Sequence, residues 1–169
     1  VLHHYRMFAD YNRWANQRLY DACATLSDAE FRADKGAFFG SLHRTLNHIL
    51  VGDRAWMKRL TGTGPAPRAL DEILFDAFAE LRAAREAEDA RIIDWLGALD
   101  DDALSALVEY TPITSPTPVI QRRDRVLAHV FNHQTHHRGQ AHAILTALGK
   151  PSLLLDLVYF QRTDGAQWG

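Results

Sequence analysis

Apolar side chains in this 169-residue chain return every three or four positions, in four long runs separated by strong punctuation. That is the period of the α-helix, and it commits most of the chain to helices that each need partners for one apolar face. In the first run Met7, Tyr11 and Trp14 keep helical spacing, with Phe8, Ala15, Leu19, Ala22 and Leu26 beside them. A helix is expected near residues 2–25. Ser27-Asp-Ala-Glu30 then matches a capping box, in which serine and glutamate satisfy free amides at the start of a short helix or turn.

The second run places Leu42, Leu46, Ile49, Trp56, Met57 and Leu60 on one side of a helix over about 41–60. The segment TGTGPAPRALDE (61–72), with two glycines and two prolines, ends it. Asp71 is a suitable N-cap for a third helix over about 72–97, carrying Leu74, Phe78, Leu81, Ile92 and Trp95. Three prolines in ALVEYTPITSPTPVIQ (106–121) exclude a helix, and the flanking β-branched residues predict a small hairpin or an extended crossover. A fourth helix over about 122–148 stops at Gly149, with Pro151 beyond it. The apolar tail LLLDLVYFQR (153–162) is expected to pack across the other helices. The expected fold is all-α, a four-helix bundle with a small extended or hairpin crossover before the last long helix, in a single domain over 1–169.

A composition of 47% hydrophobic and 24% charged residues is ordinary for a globular chain. The formal net charge of −2 gives no electrostatic case for a nucleic-acid partner. Cys23 is the only cysteine, so no internal disulfide forms and a reducing compartment fits. No signal-like segment and no apolar stretch long enough to span a bilayer is apparent, which predicts a cytoplasmic protein without a membrane partner.

The fourth run contains HVFNHQTHHRGQ (129–140), with four histidines in nine positions. With side chains advancing by about 100° per residue, Val126, Val130, Ala141, Ile144 and Leu148 share one side, and His133 and His137 lie about 20° on either side of its centre. Both therefore aim inward, one turn apart. His129, His136 and Gln140 fall at the border of that stripe, where a structural or supporting role fits, and His142 should face water. Histidines at i and i+4 on one face can share a divalent ion. A buried imidazole left without any partner costs about 1–3 kcal/mol, so two adjacent ones need a common solution. Each histidine alone has a plainer account, bonded to a carbonyl or to water.

A third ligand has to come from another helix, and His43 and His48 are the candidates. Ser41, Thr45, His48, Gly52 and Ala55 make a seam of small side chains that leaves room beside His48, whereas His43 falls at a polar border with Asn47 and Arg54. His48 fits better. His3 and His4 are expected to be exposed near the terminus. Arg85 and Glu88 interrupt the third stripe; they read as an ion pair at the bundle edge, or, alternatively, Glu88 as a fourth ligand or substrate contact.

Taken in order, YNRWANQRLY (11–20), FGSLHRTLNHILVGDRAWMKRL (39–60), LAHVFNHQTHHRGQAHAIL (127–145) and GKPSLLLDLVYF (149–160) resemble the DinB/YfiT-like family of small bacterial bundle proteins, which is unrelated to the DNA polymerase of the same name. The resemblance implies an up-down-down-up four-helix bundle, often dimeric, that holds a divalent metal through three histidines matching His48, His133 and His137. It also implies a thiol-dependent transferase or isomerase chemistry. Three neutral imidazoles leave a coordination position open, as catalytic sites do. The leading expectation is a nickel- or zinc-dependent S-transferase acting on a small molecule, with a low-molecular-weight thiol as partner. The alternatives are a metal-dependent hydrolase, with Glu88 or His136 as base, and a stress-response metal-binding protein without turnover.

Overall fold

A computed structural model describes residues 1–168. It is mostly helical, with α1 (Leu2–Cys23), α2 (Asp28–Arg32), α3 (Leu42–Thr61), α4 (Phe78–Gly97), α5 (Arg123–Ala147) and α6 (Leu157–Arg162), plus one two-stranded sheet. None of these helices is long and apolar enough to cross a membrane. The four long helices pack side by side: α1 lies against α4 and α5, and α3 against α5 and α4.

Local chemistry sets most boundaries where the sequence puts them. Ser27 and Glu30 make the reciprocal capping box that starts α2. Ser41 caps α3 by accepting from the Arg44 amide, and Gly62 ends that helix at φ +74°, a left-handed conformation that only glycine adopts cheaply. The proline-rich segment is a hairpin, β1 (Leu107–Tyr110) antiparallel to β2 (Val119–Arg122), with Leu107 opposite Arg122 and Tyr110 opposite Val119. All three prolines sit in its turn, where no ladder amide is needed.

One boundary differs from expectation. The third long helix begins at Phe78 rather than near residue 72, and Asp71 does not cap it. The cause is Asn47 on α3: its carbonyl oxygen accepts from the amides of Leu74 and Phe75, and its amide donates to the Phe75 carbonyl. Those backbone groups are held in a crossing loop and are withdrawn from any helix. The tail packs across α5 and α1, as expected. Phe160 packs on the rings of Tyr11 and Trp14, and the Tyr11 hydroxyl donates to the Leu155 carbonyl at 2.6 Å. His142 takes part in this docking. It is half-buried rather than water-facing, because its Nε2 accepts from the Leu153 amide at 2.9 Å.

The core has two apolar ends and a polar middle. One end joins Leu2 and Ala9 of α1 with Met57, Ile92, Leu96 and Val130. The other joins Leu19 and Cys23 with Leu46, Leu50, Leu81 and Ile144. Between them in the sequence of every long helix lie buried polar residues: Asn12 and Asn16, Asp53, Arg85 and Asp89, Gln134 and Arg138.

Candidate metal centre

The polar middle is a hydrogen-bonded network that leaves Arg85 Nε and Gln134 Oε1 without a partner among the described residues. Arg85, 1% exposed, donates to Asp53 and pairs with Asp89 at 2.9 Å. Asn12 and Asn16 donate to Asp89 at 3.1 and 3.0 Å, and their own carbonyl oxygens accept from Arg138. Gln134 donates to the second oxygen of Asp53 at 2.7 Å. Two carboxylates thus face two guanidinium groups, and the layer is neutral in total. Burial alone would lower the Arg85 pKa, but Asp89 and Asp53 raise it, so its charge is secure. Every long helix supplies a member, so the layer fixes how α5 is rotated against α3.

That rotation sets the histidines. Gln134 and Arg138 face the central layer, and the residues just before them, His133 and His137, turn toward α3 at its seam with α5. His48 meets them there. Its Nε2 lies 3.2 Å from Nε2 of His133 and 3.2 Å from Nε2 of His137. The site is therefore beside the bundle axis rather than on it; the axis belongs to Asp53 and Arg85. His137 is buried, as its place on the inward stripe predicts, and His133 is half-buried.

The remaining ring nitrogens decide where the protons are. His48 Nδ1 stands 2.7 Å from the Leu70 carbonyl, which can only accept, so Nδ1 carries the proton. His137 Nδ1 donates to the Gln140 carbonyl oxygen at 2.8 Å, while the Gln140 amide donates to His136. Burial lowers the pKa of both His48 and His137 despite these bonds. It pushes His133 down to about 3, helped by the neighbouring His137 and His48. The rings are neutral at pH 7, and His48 and His137 point bare lone pairs at each other. A single proton on His133 cannot satisfy both. Such a cluster lacks a partner, and a cation is the partner it fits.

Distances agree. Metal–nitrogen bonds of about 2.0–2.1 Å in a tetrahedral shell separate their nitrogens by about 3.3 Å, against the 3.2 Å found here. Among the described residues, these three histidines form the group whose ligand atoms converge closely enough to hold an ion. Two features make the room. A Cβ on Gly52 would lie 2.7 Å from Cε1 of His133, so only glycine lets that ring approach α3. Phe39 stacks on His48 with ring centres 4.0 Å apart, closing one side. The other side opens into a cleft of about 320 Å³, lined among others by Trp56, Arg59, Leu70, Tyr110, Ile113 and His129.

A family model described as the DinB family matches residues 2–168. The chain belongs to the DinB family. Protein DinB of Bacillus subtilis (strain 168) is 25% identical over 162 residues, covering 87% of each chain. A second relative from the same organism, Uncharacterized protein YizA, is 23% identical over 133 residues, covering 79% of this chain and 80% of its own.

The other sequence candidates of this DinB-family chain find different places. His129 is exposed and packs against Trp56, with ring centres 5.2 Å apart. His136 is exposed, stands edge-on to His137 with ring centres 4.8 Å apart, and accepts from the Gln140 amide. His43 is buried rather than at a border, edge-on to Phe31 and away from the cluster. His3 and His4 are exposed. Glu88 pairs with Arg91 at 2.8 Å, not with Arg85, and is no member of the converging group. Sequence reasoning missed Asp53, Gln134, Arg138, Asn12 and Asn16. Their signal was there, since Asn12/Asn16 and Gln134/Arg138 are polar pairs at i and i+4 within otherwise amphipathic runs.

Proposed function

We propose that this DinB-family protein is a divalent-metal-dependent enzyme of the thiol-dependent S-transferase type, with His48, His133 and His137 as its metal ligands. The observation that carries the reading is the convergence of three neutral imidazoles, two of which, His48 and His133, line a cleft. Nickel and zinc suit a set of three imidazoles. When bound, the cation supplies Lewis acidity that lowers the pKa of a thiol at the open position.

The chain's own residues do the rest. The Leu70 carbonyl and Gln140 hold two rings in the tautomer that presents Nε2, and such partners sustain ligand orientation. Trp56, Tyr110 and Ile113 wall the cleft with apolar surface, which binds the body of a small-molecule substrate and keeps water from one side. The up-down-down-up arrangement of a four-helix bundle is part of the same reading. Early residues of α1 and α5 share a core layer with late residues of α3 and α4, which supports it. So are a homodimer, a cytoplasmic location and the absence of nucleic-acid and membrane partners.

The test is turnover by nickel- or zinc-loaded protein, given a low-molecular-weight thiol and an electrophile in one series and esters and amides in another. Metal-stimulated thiol conjugation, lost in His48→Ala, is expected. Ester cleavage without thiol would make the protein a hydrolase instead. Metal binding with neither activity would leave a stress-response metal-binding protein.

A further inference from the structure

Arg59 sits in the wall of the cleft with its binding capacity unspent. It belongs to the face of α3 that carries His48, Gly52 and Trp56, and it stands about 10 Å along the helix from Gly52, at 1.5 Å per residue. Its guanidinium rests against two rings that touch each other edge-on, 4.4 Å from the centre of Trp56 and 4.8 Å from that of Tyr110. Those contacts fix its plane and take none of its N–H donors. One nitrogen reaches the Thr111 carbonyl at a long 3.4 Å. Among the described residues it has no carboxylate within 4.0 Å, and none of the residues lining the cleft is acidic. Two other half-buried arginines of the bundle are spent. Arg82 pairs with Asp21 and Glu86, and Arg91 with Glu88.

A planar, fixed, half-buried guanidinium with free donors matches a carboxylate, which it can bind through two parallel hydrogen bonds. The charge is single and the cleft small, so one carboxylate on a small molecule suits it better than a polyanion. Between Arg59 and the histidines, the rings of Trp56 and His129 provide a continuous surface, with His129 5.7 Å from His133. We propose that Arg59 anchors a carboxylate of the substrate, so that the enzyme acts on small molecules bearing that group roughly one cleft-length from the atom presented to the histidine triad. The proposal rests on the functional reading above and deepens it. The carboxylate can belong to the thiol or to its acceptor.

The test compares acids with their amides by isothermal titration at pH 7. One pair is 6-mercaptohexanoate and 6-mercaptohexanamide on nickel-loaded protein. The other is 4-phenylbutyrate and 4-phenylbutyramide on loaded and metal-free protein. The expected result is an acid bound at least about tenfold more tightly than its amide in one pair or both. The pair that shows it tells whether the carboxylate belongs to the thiol or to the acceptor. Arg59→Met should abolish the preference, Arg59→Lys should keep part of it, and neither should change nickel affinity. A preference that survives in Arg59→Met, or none in either pair with the wild-type protein, overturns the proposal. Failure of thiol conjugation with the acid preference intact would refute the transferase reading alone, since the binding comparison requires no turnover.

Discussion

Replacing Gly52 by alanine adds one methyl group, and it lands on a candidate ligand. The new Cβ would stand 2.7 Å from Cε1 of His133 and 3.2 Å from its Nδ1, where ordinary contact begins at 3.4 Å. The ring must therefore retreat by roughly 0.7 Å, while a metal–nitrogen bond tolerates only about 0.2 Å. Losing one of three ligands should lower nickel or zinc affinity by about 100-fold or more, equivalent to about 2.8 kcal/mol. Stability should fall by about 0–2 kcal/mol, the balance of two terms. Alanine gains about 1 kcal/mol over glycine in a helix interior, and the displaced ring costs about 1–3 kcal/mol. The assay is competition with a chromogenic chelator, alongside urea denaturation of the metal-free protein. Gly139→Ala is the matched control, because nothing lies within 4 Å of a Cβ there; it should leave metal affinity alone and stabilise by about 0.5–1 kcal/mol. Wild-type affinity in Gly52→Ala would refute the packing argument and the assignment of His133 as a ligand together.

Asp53→Ala strips Arg85 and Gln134 of their shared partner and should destabilise the fold by about 3–5 kcal/mol in urea unfolding; a loss below about 1 kcal/mol would mean that the polar layer does not hold the helices. Asn47→Ala removes the side chain that pins Leu74 and Phe75, so limited proteolysis should begin to cut within 63–77, and unchanged resistance would count against that tether. For the metal-free protein, the sign of the pH effect follows from His133. Its folded pKa is pushed down to about 3, below the ordinary histidine value near 6.5, so the unfolded chain binds more protons across that window. Its contribution to stability is present above about pH 6.5 and is lost as pH falls toward 3, by up to about 1.4 kcal/mol per pH unit. Compared at pH 7 and pH 5 in chelator, His133→Leu should gain on wild type by up to about 2 kcal/mol at the lower pH, and parallel profiles would contradict the burial of a neutral ring.

Much of the helical frame was legible because each run carries its own evidence. Periodicity gave the long α1, α3 and α5, the capping box gave α2, and the three prolines gave the hairpin, all from interactions within a few residues. The late start of α4 was not legible. It depends on Asn47, nearly thirty residues earlier, which takes the amides of Leu74 and Phe75 across space. The same holds for Arg85, read as an edge ion pair with Glu88 but found in the centre between Asp53 and Asp89.

For the site, the sequence by itself named the residue types and their phase: His133 and His137 one turn apart, and His48 on a seam of small side chains. Tertiary structure alone decided where that phase points. On an isolated wheel the centre of the apolar stripe is the core, but the buried charges of Asp53, Arg85, Asp89 and Arg138 must find one another, and satisfying them turns α5 until the imidazoles face α3 beside the axis. It also decided what surrounds them, bringing the Phe39 ring and the Leu70 carbonyl from the segments on either side of α3 and the Arg59 guanidinium from farther along α3 itself. Periodicity records which side of a helix is buried; the partners that bury it are chosen by packing and by the cost of leaving a charge unpaired.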